Sequence, residues 1–425
     1  MRRRALARRP RRVALAAATL TLAGTAGLTV GGCGGSTSRG GRISGGPLII
    51  DTGIPRFGPT AATGRAVLRG ERMALAAVHG RVGRYRIVLR ALDDATRGSR
   101  GWNPGQTDTI ATRAARDART IGYIGDLASG ASAVSLPILN RAHIPQVSPL
   151  ATAVGLTRGG AEASPGEPER YYPARTRTFA RVVPNDSVQS AVQVRLQREA
   201  GCERVMVLYD AEFDGRDAAS AYEVAARRAG LPIIGTDQVE TTRPGLRSLV
   251  GRLRALAPDC VLLSALDQDG AAALADTVVD AVPSALVFVT ASAGQSAFVA
   301  RDGGVDVADD PQLTITLPTL GYRDYPLAGR RFLRAFDRRY GTGAIQGIWG
   351  KAAMSLLLDA VRHASDDGRR DVTRARVMHA ILTTPDEHSV LGTYSITRTG
   401  DTTLRRYGVY HVAGGQLVFW KAMRG

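Results

Sequence analysis

Lysine is almost missing from this chain. Lys351 and Lys421 are the only two, and arginine supplies the rest of a formal net charge of +18. A phosphate-cradling loop of the Walker type needs a lysine after its glycines, and neither lysine sits in one. No Gly-x-Gly-x-x-Gly follows a strand-like run, and no Gly-x-Ser-x-Gly elbow is present. The nucleotide-binding and serine-hydrolase signatures are therefore both absent. Aromatic residues make up 5% of the chain, and no basic run is interleaved with them. That argues against a nucleic-acid partner. The histidines (His79, His143, His363, His379, His388, His411) are scattered without ligand spacing. Asp386-Glu387-His388 is a polar triplet, but adjacent side chains diverge, so it reads as a solvated loop rather than a metal site. Nothing here points to an enzyme, a cofactor or a metal.

What is present begins with the N-terminus. Arg2, Arg3, Arg4, Arg8, Arg9, Arg11 and Arg12 precede an apolar, small-residue run, Val13–Val30. A basic head followed by an apolar stretch has the form of an export signal. It ends in Val30-Gly31-Gly32-Cys33. This resembles a bacterial lipobox, which makes residues 1–32 a signal peptide and Cys33 the lipidation site. A plain cleaved signal and an uncleaved anchor are the alternatives. Export by the general or the twin-arginine route stays open. Residues 33–46 are rich in Gly, Ser and Arg and read as a flexible tether. Lipid chains on Cys33 would hold the protein at a membrane surface.

Two cysteines remain. Cys202 and Cys260 each precede an apolar run, Val205–Tyr209 and Val261–Leu263. If those runs are neighbouring parallel strands, both sulfurs lie at one sheet edge. An exported chain can keep a disulfide there, and a disulfide is expected over two buried thiols.

At 425 residues the chain is long enough for two domains. Strand-like runs alternate with helical ones: Pro47–Asp51, Ala61–Val78, Arg84–Leu92, Gln106–Arg119, Ile121–Ile124, Ala133–Arg141 and Ile144–Val147. This is the order of a doubly wound parallel sheet. Gly155–Thr178 breaks it and reads as a long functional or mobile loop. A second cycle follows: helices Val188–Ala200, Ala218–Ala229, Leu246–Leu256 and Gly270–Val279 alternate with strands Val205–Tyr209, Pro232–Gly235, Val261–Leu263 and Leu286–Thr290. Beyond strand Leu313–Leu317, helices are expected over Leu327–Tyr340, Ile345–His363 and Val372–Leu382. Antiparallel edge strands close the chain at Gly392–Thr397, Arg406–His411 and Leu417–Trp420.

The stretch Ile121–Thr152 carries the best site signal. Its two strands run into Ser129-Gly130-Ala131-Ser132 and Ser148-Pro149-Leu150-Ala151-Thr152. Ligands of open α/β sheets sit outside the carboxyl ends of strands, and helix N-termini there offer N–H groups to an anion. Ser129 and Thr152 are thus candidates to hold a small carboxylate; helix capping is the plainer use of the same hydroxyls. Asp93-Asp94 also ends a strand at this edge, where turn chemistry is expected.

Taken together, the chain resembles the type I periplasmic binding proteins, specifically the leucine/isoleucine/valine-binding-like solute receptors of ABC importers. The matching stretches are Phe57-Gly58-Pro59, Leu92-Asp93-Asp94, Ile124–Ser132, Ile144–Thr152, Phe179–Asp186, and Tyr209-Asp210 with Gly215. The resemblance implies two α/β lobes with a hinge and a central ligand cleft. Lobe 1 would span 47–182 with 320–394, and lobe 2 would span 183–319 with 395–425. It implies a carboxylate on Ser129 and Thr152 and a backbone contact from Leu150. On the facing lobe, Phe213 and Asp214 stand where the family often has a tyrosine. Ser292 lies where it often has an acid for the ligand's ammonium. Asp214, Asp267 and Asp269 are left as candidates for that role. The resemblance further implies a monomeric, non-enzymatic lipoprotein on the outer face of the cell membrane, passing a small solute such as an amino acid to an ABC permease. A ligand sensor reporting to a membrane receptor or kinase is the alternative.

Overall fold

The computed structural model describes residues 42–43, 46–99, 101–264, 268–292, 298–299, 304–306, 312–341 and 344–425. The signal, Cys33 and Asp267 lie outside them, and so do the side chains of Gln268 and Asp269.

The chain opens with β1 (Arg42–Ile43), β2 (Leu48–Ile54), α1 (Ala61–Ala77), β3 (Arg81–Val82), β4 (Tyr85–Asp93), α2 (Pro104–Arg116), β5 (Thr120–Ile124), α3 (Ser129–Arg141), β6 (Gln146–Ser148) and β7 (Phe179–Arg181). It continues with α4 (Asp186–Glu199), β8 (Val205–Tyr209), α5 (Phe213–Ala229), β9 (Ile233–Gln238), α6 (Arg243–Leu256), β10 (Cys260–Ser264), α7 (Gln268–Ala281), β11 (Leu286–Val289) and β12 (Leu313–Leu317). The last part holds α8 (Leu327–Tyr340), α9 (Ala344–Ala364), β13 (Val372–Thr373), α10 (Arg374–Leu382), β14 (Glu387–Ser389), β15 (Gly392–Tyr394), β16 (Arg406–Val412) and β17 (Leu417–Arg424).

Two sheets result. The first runs β3-β4-β2-β5-β6-β7 and is parallel except for β3. The second runs β17-β16-β12-β11-β10-β8-β9, with β16 and β17 antiparallel at one edge. The central strands β5, β8 and β10 are apolar and buried nearly throughout, as expected where helices cover both faces of a parallel sheet. This is the two-lobed α/β architecture expected from the order of elements.

Helix α9 follows the second sheet in sequence but packs on the first. Trp349, Met354, Leu357 and Val361 join the core under β2 and β5. Its contact with α1 is possible because small residues meet there. A Cβ on Gly70 would collide with the carbonyl of Gly347, and one on Gly350 with the carbonyl of Val67. At the amino-terminal ends of the neighbouring strands β10 and β8, Cys260 pairs in register with Val205, and Cys202 and Cys260 are disulfide-bonded with Cα atoms 5.8 Å apart.

The segment read as a long loop is packed. Two short 3-10 turns, Val154–Leu156 and Glu169–Tyr171, punctuate it. Tyr171 and Tyr172 are buried with Leu136 and Phe179. Glu167 accepts from the Tyr171 hydroxyl at 2.6 Å and the Ser164 N–H at 2.8 Å. The run Val372–Leu382 is a two-residue strand followed by a helix, divided at Thr373, whose hydroxyl caps the Arg376 N–H.

Candidate functional site

Strand ends make the site. A cavity of about 420 Å³ is walled by residues just past the carboxyl ends of strands in both sheets. The first sheet contributes Pro55 after β2, Asp94 after β4, Leu127 after β5 and Leu150 and Thr152 after β6; the second contributes Ser292 after β11 and Thr319 after β12. Trp102, Trp349 and Tyr410 add aromatic walls. A larger concavity of about 1180 Å³ lies beside α4 and residues 397–405. Two of its arginines already have acidic partners: Arg158 with Asp401 at 3.4 Å and Arg228 with Glu162 at 2.8 Å. The interlobe cavity is the better ligand site, since small-molecule sites are mainly apolar with a few converging polar groups.

The N-terminus of α3 is the natural seat for an anion, and a protein carboxylate fills it. Asp214, in the first turn of α5, accepts from the N–H of Ser129 at 2.8 Å and the N–H of Gly130 at 3.2 Å. Burial pushes the Asp214 pKa up, while these N–H groups and the Ser129 hydroxyl act against that. The Ser129 hydroxyl oxygen accepts from the N–H of Thr152 and of Ala153, each at 3.1 Å. Ser129 thereby ties the two strand-end loops together. Gly130 allows the approach of both lobes: a Cβ there would stand 2.6 Å from Trp102 Cζ2 and 3.2 Å from Phe213 Cβ.

Behind the seat lie two more acids on second-lobe helices. Asp217 accepts from the Val154 N–H at 3.0 Å. The Asp186 N–H donates to the Thr152 carbonyl at 3.0 Å, and its carboxyl bonds the Thr152 hydroxyl. Burial pushes Asp186 up to about 7, opposed by the Thr152 hydroxyl, and pushes Asp217 well above the carboxylate range, aided by the charge of Asp186. From below, buried Arg181 braces the same loop. It donates to the carbonyls of Ala151 at 2.9 Å and Ala153 at 2.8 Å and to the Thr157 hydroxyl at 2.9 Å, and pairs with Asp401 at 3.0 Å.

The two aspartates that end β4 divide their work. Asp93 makes the turn, its carboxylate accepting from the N–H groups of Arg56 and Ala95, both at 3.1 Å. Asp94 is 1% exposed, lines the cavity, and has an oxygen, Oδ1, with no hydrogen-bond partner. Burial, then the charges of Asp126 and Asp93, push its pKa well above the usual range. Trp349, 2% exposed, also lines the cavity, and its Nε1 has no partner.

Of the residues singled out in the sequence, Leu150, Thr152, Asp214 and Ser292 meet in the cavity wall. Ser129 stands just behind it. Ser292 bonds the Thr290 hydroxyl at 2.9 Å. Phe213 is outside the wall and packs against the buried cluster that includes Ala151, Tyr171 and Leu136. The aromatic walls were not foreseen, because Trp102 sits in a loop and Trp349 in the middle of an apolar helix, where core packing is the ordinary reading. Among the described residues, the one group of possible metal ligands is Cys202, Asp259 and Cys260. Both sulfurs there are spent on the disulfide. No helix among the described residues is long and apolar enough to cross a membrane.

Comparison with known proteins agrees with this geometry. The family model described as periplasmic binding protein matches residues 54–416. A leucine-binding protein from Thermotoga maritima superposes with a TM-score of 0.73 at 18% identity, covering 89% of this chain and 99% of that one. A branched-chain amino acid transporter substrate-binding protein from Streptococcus pneumoniae, in complex with isoleucine, gives 0.72 at 14% identity, covering 89% and 100%. An ABC-transporter solute-binding protein from R. palustris, in complex with benzoate, gives 0.68 at 17% identity, covering 89% and 96%. No curated protein matches the chain in sequence.

Proposed function

The chain belongs to the periplasmic binding protein family, and on that premise we propose that it is the solute-binding component of an ABC importer. It works outside the cytoplasm, tethered by lipid on Cys33. The single observation that carries this reading is the cavity of about 420 Å³ walled by strand ends of both sheets. A solute held there bridges the two lobes, so binding favours their closed arrangement. The permease would then read that arrangement. The proposed role involves no reaction. Selectivity comes from polar groups that a wrong solute leaves unpaired in a dry site.

The neighbours bound to isoleucine and benzoate each hold a small organic molecule, and the cavity here is of a size for one. The expected carboxylate seat is already filled in this chain. The donors expected to meet a solute carboxylate, at Ser129 and Thr152, are engaged by Asp214 and by Ser129 itself. A solute carboxylate would have to displace Asp214 to use them. The arrangement therefore supports a solute bound in the remaining cavity with Asp214 in place.

A thermal-shift screen of small amines, amino acids and organic acids tests the binding role. A cleft ligand at 100 times its dissociation constant stabilises by about 2.7 kcal/mol. No shift across the screen overturns the reading. Cys33→Ser should move the protein from membranes to the soluble fraction; continued attachment would count against the lipid tether.

A further inference from the structure

We propose that the cleft selects a protonated amine with an apolar body and no free carboxylate, its ammonium against Asp94 and its body against Trp102, Trp349 and Tyr410. The proposal rests on the solute-binding reading and names its substrate class.

Charge is the first ground. The chain carries a formal net charge of +18, with arginine spread along it. Yet among the described residues that wall the cavity, none is Arg or Lys, and the charged side chains are Asp94 and Asp214. The positive end of α3 is neutralised by Asp214. An anion entering this cavity meets two carboxylates and an α3 N-terminus that is already occupied. A cation meets complementary charge in a site of low dielectric, where like and unlike charges are strongly distinguished.

The second ground is an unmet hydrogen bond. A buried polar atom without a partner is costly and rare in folded proteins. Asp94 Oδ1 is such an atom, at 1% residue exposure. The charges that bear on Asp94 are Asp126 and Asp93, both of its own sign. A donor from the solute is therefore the missing partner, and an ammonium supplies both the hydrogen bond and the opposite charge. Burial, with Asp126 and Asp93 beside it, makes the Asp94 carboxylate costly on its own, a cost that an opposing cation offsets.

The walls supply the third ground. Trp102, Trp349 and Tyr410 present aromatic surface to the cavity, and Leu127, Leu317 and Ile345 add apolar surface. Aromatic faces attract cations as well as apolar groups. Trp349 Nε1 is a second buried group without a partner, and it offers a donor to a neutral acceptor. An amine carrying an uncharged carbonyl, such as an amino-acid amide, satisfies both Asp94 and Trp349.

Four probes with one isobutyl body and different head groups test this: isoamylamine, leucinamide, leucine and 4-methylpentanoate. In calorimetric titration of the mature protein, the two amines lacking a carboxylate should bind about tenfold or more tighter than leucine, and 4-methylpentanoate should bind weakest. Asp94→Asn should weaken both amines about tenfold, and Trp349→Phe should weaken leucinamide more than isoamylamine. If Asp94→Asn fails to fold, the ranking of the four probes on the unmodified protein decides alone. Binding of leucine or 4-methylpentanoate as tight as that of the amines overturns the proposal and leaves the solute-binding reading standing. Amine affinity unchanged in a folded Asp94→Asn protein overturns it too, as does the absence of binding by either amine. Silence to these probes and to the whole thermal-shift screen overturns both.

Discussion

The carboxylate of Asp214, on α5, bonds the N–H of Ser129, on α3, at 2.8 Å. One lobe thus places an acid on the helix end of the other, at the spot where the sequence predicts a solute carboxylate. Removing that acid should reopen the seat. Asp214→Ala is expected to raise the affinity for 4-methylpentanoate about tenfold and to expand the ligand-free protein in solution scattering, because a bond between the lobes is lost. Unchanged affinity and unchanged dimensions would show that the Asp214 contact does not govern the seat.

Glu71 makes stability depend on pH. It is buried in α1, accepts from the Thr52 hydroxyl at 3.0 Å, and its Oε2 has no partner. Burial raises its pKa from 4.5 to about 8, against the Thr52 bond and the charge of Arg72. A carboxyl whose folded pKa is raised contributes stability below its unfolded pKa and loses it as pH climbs through the folded one. The contribution should be full below pH 4.5 and gone above about 8. Glu71→Gln should therefore match the parent near pH 4.5 and exceed it well above pH 8, by up to about 5 kcal/mol. Equal melting temperatures at both ends of the range would refute the assignment.

The disulfide closes a loop of sequence separation 58. In the chain-entropy account this is worth about 4 kcal/mol. The double variant Cys202→Ser with Cys260→Ser should lose about that much in urea unfolding, and reducing agent should destabilise the parent but not the variant. A variant as stable as the oxidised parent would show that the pairing adds nothing.

Two glycines in helices should respond in opposite directions to alanine. Gly70→Ala drives a methyl group into the Gly347 carbonyl, forcing α1 and α9 apart at a cost of about 1–3 kcal/mol. Gly251, in α6, has nothing within 4 Å of a Cβ. Gly251→Ala should stabilise by about 0.5–1 kcal/mol through backbone entropy alone. A similar small gain at both sites would mean the α1–α9 contact is not tight.

The alternation of apolar runs made both sheets legible, because parallel strands buried on two faces leave unbroken hydrophobic segments. Helix starts were less legible. Helix α3 begins at Ser129 and α5 at Phe213, several residues before the apolar pattern of Ala133–Arg141 or Ala218–Ala229 sets in. Neither start is capped by its own N-cap side chain; the first turns meet each other instead, the Ser129 and Gly130 N–H groups of α3 donating to Asp214 of α5. The site was half legible for the same reason. Ser129, Leu150 and Thr152 follow their strands directly, so their place at the cleft can be read from order alone. That Asp214 would fill the seat depends on how two distant helices meet, and no local pattern encodes it. Asp93 and Asp94 read as one turn, yet only the chain's path after β4 decides which carboxylate caps the turn and which faces the cavity.

The crossing of α9 onto the first sheet has a kinetic consequence. Gly70 finds Gly347 only after every strand of the second sheet's parallel core has been made. A chain of that kind must close a very long loop before its first core is whole, which slows folding more than it weakens the product. Until then the β2–β5 surface is uncovered. The first lobe can therefore be completed only after the second sheet's parallel strands and α9 have been made.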